Sequence, residues 1–192
     1  MSGMFQRLAI PEVFIHTPKR FADERGFFME TFNAAAMEPM TGPAVWVQDN
    51  HSRSEPVGTV RGLHFQVPPF AQDKLVRCIA GAVLDVAVDI RHGSPTFGRH
   101  VASKLTASGG EQIFVPRGFA HGFVTLDRGC EIAYKVTNYY SFQHDRGLRW
   151  NDPALEIEWG LSAEKAVLSA KDAAAPMLAE LPVSFWYGHS EL

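Results

Sequence analysis

Turn signals crowd the middle of the chain: Gly93-Ser94-Pro95, Ser108-Gly109-Gly110, Pro116-Arg117-Gly118 and Asp127-Arg128-Gly129, with short apolar runs between them. Runs this brief are too short for ordinary helices, and glycine and proline at such close, even intervals mark the reversals between strands. Strands are read at Phe5 to Thr17 (two, broken at Pro11), Ala44 to Ser52, Val60 to Gln66, Cys78 to Ile90, Gly98 to Leu105, Glu111 to Val115, Gly122 to Leu126, Glu131 to Tyr140 and Leu155 to Trp159. The segment Phe21 to Phe32 reads as a turn leading into a strand. In Leu84 to Ile90 the alternation predicts a half-buried strand with Asp85 and Asp89 on its polar face. Such a chain folds as an all-β sandwich, barrel or jelly roll.

Helical signals are few. Asn33 to Met40 is alanine-rich and is expected to form a helical turn stopped by Pro39 and Pro43. Leu161 to Ala175 is expected to be a helix terminated by Pro176, and within it Ser169-Ala170-Lys171-Asp172 has the spacing of a capping box. That spacing alone makes Asp172 a carboxylate that serves a helix N-terminus. The 192 residues fit one domain, 1–192, with a sizeable core. A formal net charge of −3 gives no general attraction to nucleic acid or to an acidic membrane, so any anionic ligand needs a local cluster of cations. Cys78 and Cys130 lie in apolar runs without paired spacing and read as buried free thiols. No basic segment followed by an apolar stretch opens the chain, and no apolar run is long enough to span a membrane, so a cytoplasmic location is expected.

Chemistry is sought first in Val60-Arg61-Gly62-Leu63-His64-Phe65-Gln66 and the following Gln72-Asp73-Lys74-Leu75-Val76-Arg77. On a regular strand His64 and Gln66 share a face, whereas Arg61 has the opposite parity unless Gly62 hosts a bulge that re-aims it. His64 by itself is compatible with a structural histidine as well as a reactive one. Pro116 to His121 fits the P-x-G-x-x-H pattern of the second cupin motif. The first cupin motif would offer an H-x-H pair and a carboxylate; the corresponding place reads His64-Phe65-Gln66 with Lys74 beyond, and a lysine opposes a divalent cation. No metal ligand set is expected.

A histidine, a lysine and a tyrosine suit the removal of a proton from carbon beside a carbonyl, which needs a base, a cation at the enolate oxygen and an acid. Tyr134 and Tyr140, six apart in one run, share a face, and either packing with Ile132 and Val136 or acid catalysis explains them. Phe28 and Glu30 face the same way after Arg25, an arrangement that fits a planar base or a plain edge strand. Arg25, Arg61 and Lys171 are candidates for a diphosphate.

Many of these stretches, taken in order, resemble one family. Asp23-Glu24-Arg25-Gly26-Phe27-Phe28, Gln48-Asp49-Asn50-His51-Ser52, Arg61-Gly62-Leu63-His64-Phe65-Gln66, Lys74-Leu75-Val76-Arg77, Gly118-Phe119-Ala120-His121-Gly122-Phe123, Trp150-Asn151-Asp152-Pro153 and Ser169-Ala170-Lys171-Asp172 are similar to the dTDP-4-dehydrorhamnose 3,5-epimerases. The resemblance implies a cupin-type jelly roll without cofactor, acting in the homodimer through exchanged N-terminal strands. The implied reaction inverts C3 and C5 of dTDP-4-dehydro-6-deoxy-D-glucose on the route to dTDP-L-rhamnose for cell-surface polysaccharide such as lipopolysaccharide.

It further implies His64 as base, polarised by Asp172, with Tyr134 as acid and Lys74 at the C4 oxygen. Gln48, Asn50, Arg61 and His121 are implied substrate contacts, with Tyr140 near the nucleotide. Phe21, Arg25, Phe28 and Glu30 are implied contacts to the neighbouring subunit's nucleotide. The chain departs from the family pattern at Asp145-Arg146, where Glu-Gly is usual, and at Gly160, where proline is. A relative acting at C3 only, a 3,4-ketoisomerase, a metal-dependent cupin oxygenase and a sugar-binding jelly roll are the competing readings.

Overall fold

A computed structural model describes residues 3–188. The chain begins with β1 (Met4–Arg7), β2 (Phe14–Thr17), the hairpin β3 (Arg20–Asp23) and β4 (Gly26–Met29), and helix α1 (Ala34–Thr41). There follow β5 (Gln48–Ser54), β6 (Val60–Gln66), β7 (Lys74–Ala80), β8 (Ala82–Asp89), β9 (His100–Thr106), β10 (Gln112–Val115), β11 (Phe119–Thr125) and β12 (Cys130–Val136). The short strand β13 (Asp145–Gly147) and helix α2 (Ala170–Ala173) come last, among single 3-10 turns.

One sheet runs β1-β2-β10-β7-β12-β5 and the other β13-β6-β11-β8-β9, with antiparallel pairing between neighbours. The all-β class expected from the turn spacing is observed, in the jelly-roll form that the family resemblance implies. Between the sheets, Val76 of β7, Ile113 of β10 and Ile132 of β12 meet Val83 of β8, Leu105 of β9 and Phe123 of β11 in one buried cluster. Each such side chain contributes about 1.5–3 kcal/mol by leaving water. The outer face of the smaller sheet is covered by the C-terminal third through Leu148, Trp150, Leu155, Trp159 and Phe185. The outer face of the larger sheet is covered by Met37 of α1, which packs with Phe14, Leu75 and Phe114. Cys78 and Cys130 are buried and free, as expected. Among the described residues no helix is long and apolar enough to cross a membrane.

Several local expectations are corrected. β8 is not half-buried: Asp85 and Asp89 are 0% exposed, because both faces of this central strand are covered and each carboxylate has partners indoors. β12 ends at Val136 rather than Tyr140. Thr137 turns its hydroxyl to the Asp73 carboxylate and amide, and Asn138 bonds the Tyr139 amide, so the chain peels away before Tyr140. The shared face proposed for Tyr134 and Tyr140 therefore does not exist.

Leu161 to Ala175 is not one helix but a 3-10 turn at Ala163–Lys165, an extended stretch whose Val167 bridges Thr59, and the four-residue α2. Apolar side chains at Leu161, Ala166 and Leu168 lie on the core cluster, and that burial outweighs helix propensity. Leu155 to Trp159 is likewise not a strand: Leu155 closes a 3-10 turn and the rest is irregular chain, with Trp159 Nε1 donating to Trp150 O at 2.8 Å. Phe21 lies in a strand, where a turn had been read. Pro39 does not stop α1; the helix ends at Gly42, whose φ of 71° suits glycine.

Candidate active site

One end of the sandwich stays open. There Arg61 and His64 of β6, Lys74 of β7, His121 of β11, Tyr134 of β12 and Asp172 of α2 line a cavity of about 290 Å³. Two of these side chains would face apart on a regular strand. The β6–β11 register pairs His121 with His64 but Phe123 with Arg61, so β6 carries one extra residue. That bulge puts Arg61 and His64 on one face, as proposed for Gly62. Gly62 has φ 124°, and a Cβ there would meet the Gly122 Cα at 2.6 Å, so both the backbone and the close strand approach require glycine.

His64 Nε2 lies 2.5 Å from Asp172 Oδ1. A carboxylate accepts, so Nε2 carries the hydrogen and Nδ1 is left with its lone pair. Asp172 is held in turn by Ser169, whose hydroxyl donates to Oδ2 at 2.8 Å and accepts from the Asp172 amide at 3.1 Å. The helix-capping role and the histidine-orienting role expected separately for Asp172 are thus one arrangement. Burial pushes its carboxyl up, but bonds from His64 and Ser169 and the charge of Lys171 outweigh that and hold it below the ordinary value. The pair is half-open: the His64 side chain is 32% exposed and that of Asp172 only 6%.

A second histidine–carboxylate pair faces the same cavity. His121 Nε2 sits 2.8 and 3.0 Å from the two oxygens of Asp85, and both residues are buried. Lys74 points inward from the first position of β7, donates to His64 O at 3.1 Å, and forms no ion pair among the described residues. Burial pushes its ammonium down to about 8, against the opposing pull of Asp145 and Asp85. Tyr134 reaches the cavity from the opposite sheet to His64. Burial raises its phenol above the ordinary value, tempered by Arg61. Arg61 is anchored at the mouth by bonds from Nε to Ser54 Oγ at 2.9 Å and from its guanidinium to Arg53 O at 3.0 Å.

The remaining predicted residues sit around this core of six. Gln48 and Asn50 share the β5 face of the cavity-lining Ser52 and bond each other at 2.8 Å, and Gln48 Oε1 accepts from the Tyr140 amide. Tyr140 and Lys171 stand outside the lining, both bonded to Asp145 Oδ2. Phe21, Arg25, Phe28 and Glu30 belong to the β3–β4 hairpin region and are not brought to the cavity of their own chain; Phe28 is 63% exposed.

Three residues that position others went unassigned in the sequence. Asp85 was placed only on a polar strand face, yet a carboxylate amid Val83, Val86 and Ala87 needs an indoor partner, and that is the signal that could have found it. Ser169 was hidden inside the capping pattern, and Asp145 was noticed only as a departure from the family. The other departure has a structural consequence: Gly160 adopts φ 74°, which proline cannot, so the bend after Trp159 takes its own course. Among the described residues no group of three or more His, Cys, Asp or Glu is placed to hold a metal ion.

A cupin-type jelly roll with a histidine–aspartate pair, a buried lysine and a tyrosine across one cavity defines an epimerase of the type that works by proton transfer at carbon. Residues 7–180 match the family model described as dTDP-4-dehydrorhamnose 3,5-epimerase. The chain belongs to that family. It is 53% identical over 183 residues to the dTDP-4-dehydrorhamnose 3,5-epimerase of Sinorhizobium fredii, covering 95% of this chain and 93% of the relative. It is 54% identical over 173 residues to that of Salmonella typhimurium, covering 90% and 93%. Among solved structures it is similar to dTDP-6-deoxy-D-glucose-3,5-epimerase from Legionella pneumophila in complex with dTDP-4-keto-L-rhamnose. The TM-score is 0.92 and the identity 43%, with 97% of this chain and 99% of that one covered.

Proposed function

We propose that this protein is an isomerase that inverts C3 and C5 of dTDP-4-dehydro-6-deoxy-D-glucose, giving dTDP-4-dehydro-L-rhamnose for dTDP-L-rhamnose biosynthesis. The observation that carries the mechanism is the placement of base and acid on opposite sheets of one cavity that a buried lysine also lines. The C4 ketone acidifies the C–H bonds at C3 and C5. His64 Nδ1 takes the proton from one face, the electron pair moves onto the C4 oxygen as an enolate, and Asp172 supports the imidazolium that forms. Lys74 stabilises the enolate oxygen. The pair then returns to carbon, which takes a proton from the Tyr134 hydroxyl on the other face, and exchange with solvent restores both groups. His121, Arg61, Gln48 and Asn50 hold the sugar and the phosphates. The carbonyl itself is the electron sink, so the reaction as written uses no redox cofactor or metal.

The whole chain acts as one domain, in the cytoplasm and as a homodimer. The β3–β4 hairpin crosses to the partner, where Phe21, Arg25, Phe28 and Glu30 meet the nucleotide, with Tyr140 and Lys171 at its diphosphate end. Support comes from the hairpin's pairing with itself and from its exposed Phe21 and Phe28. The test is incubation with dTDP-4-dehydro-6-deoxyglucose in deuterated water, followed by NMR. Deuterium at C3 and C5 is expected; deuterium at C3 alone identifies a C3-only epimerase, and its absence from both with folded protein overturns the assignment.

A further inference from the structure

Lys74 is buried yet among the described residues has no carboxylate bonded to it, which is an unusual state for an ammonium. Titratable and charged groups face it from every surrounding element: Arg61 and His64 of β6, Asp85 of β8, His121 of β11, Tyr134 of β12, Asp145 of β13, and Lys171 and Asp172 of α2. The negative members are already engaged, Asp85 with His121, Asp172 with His64 and Asp145 with Lys171. The three pairs differ in one respect. Asp85 and Asp172 are bonded to histidines inside the cavity, whereas Asp145, with a side chain only 13% exposed, is bonded to an ammonium 51% exposed at the mouth. Lys171 is the partner that an incoming anion can reach. Asp145 and Lys171 also pull on the Lys74 ammonium in opposite senses, Asp145 favouring its charge and Lys171 opposing it.

We propose that Asp145 is a positioning residue that couples arrival of the substrate's diphosphate to the charge of Lys74. In the free protein Lys171 offsets the Asp145 carboxylate. A phosphate that draws Lys171 to itself frees Asp145 to act on Lys74, so the cation needed at the enolate oxygen is held most firmly once substrate is bound. The proposal rests on the dTDP-sugar assignment and adds to it a device that lets the buried ammonium give up its proton until a diphosphate arrives.

The probe is dTDP alone, with binding heats measured at pH 8 in buffers of different ionisation enthalpy to count protons taken up. With half of Lys74 neutral at its value of about 8, recharging on binding takes up to about half a proton per site. Uptake of that size is expected in the native protein and its loss in Lys74→Met. Asp145→Asn is expected to reduce it by more than half, and Asp145→Glu to restore it. Lys171→Met should weaken dTDP binding and move the alkaline limb of kcat/KM to higher pH in the free enzyme, which loss of a mere phosphate contact would not do. Full uptake in Asp145→Asn, or in Lys74→Met, overturns the coupling. So does dTDP binding without uptake, which leaves the substrate assignment intact. Failure of dTDP to bind removes that assignment and the coupling together.

Discussion

The two histidine–aspartate pairs in the cavity each bind through Nε2 of the ring but have opposite surroundings. His64–Asp172 joins a strand to a four-residue helix from the far end of the chain, and its ring is 32% exposed; His121–Asp85 lies wholly within the smaller sheet, ring 9% and carboxylate 0% exposed. A base must pass its proton to solvent between turnovers, which favours the open pair. A buried pair is stable as long as it is whole, but it leaves a costly unpaired group if either half is removed. The same chemistry therefore serves proton transfer on β6 and rigid shape on the neighbouring β11 of the same sheet.

The sharpest way to break this contrast is His64→Ala. Deuterium exchange at C3 and C5 is expected to fall by about 10²–10⁴-fold, the usual contribution of a general base. His121→Ala is expected to act more on KM than on kcat, and a larger kcat loss there than at His64 would reverse the roles assigned to the pairs. Asp85→Asn tests the other side. It is expected to cost about 1–3 kcal/mol in urea unfolding, because His121 loses a charged acceptor in a closed space. The folded fraction should retain more activity than His64→Ala.

Lys74→Met sharpens the comparison from a third residue of the same cavity. Burial lowers the folded-state value from 10.5 to about 8, so the charged form is penalised by folding. The penalty is present below pH 8 and is relieved as pH rises from there towards 10.5, since the unfolded chain binds the extra proton in that interval. Replacing the ammonium by a thioether of similar shape is expected to raise stability at pH 7 by about 1–3 kcal/mol while abolishing turnover. In the native enzyme the alkaline limb of kcat/KM should fall near pH 8, where Lys74 loses its proton.

The contrast also explains what was legible in the sequence. Turn spacing disclosed the sheets, and Gly62 disclosed the bulge, because both depend on local backbone geometry. The six cavity residues were all named, although His64 and Asp172, 108 positions apart, were linked by family likeness and not by any local pattern. Asp85 was missed as a partner of His121 since alternation reports which face a residue takes, not whether that face is wet. The C-terminal helix was over-read because alanine and lysine favour helix locally, whereas Leu161, Ala166 and Leu168 gain more by covering the smaller sheet.

The smallest expected effect concerns the acid side of the stability curve, and it bears directly on which carboxylate carries the open pair. Asp172 titrates below its ordinary value when folded, because its bonds to His64 and Ser169 and the nearby Lys171 outweigh its burial. A depressed carboxyl contributes stability above its unfolded value of 3.8 and loses that contribution as pH falls through the lower folded one. Urea midpoints measured downward from pH 5 should therefore decline with a slope to which Asp172 contributes, and Asp172→Asn should flatten it while leaving the fold assembled. The same variant leaves His64 free to take the other tautomer, so catalysis should fall far more than stability. An Asp172→Asn protein with full activity and an unaltered acid slope would mean that the open pair does not form in solution, and the distinction between the two pairs would go with it.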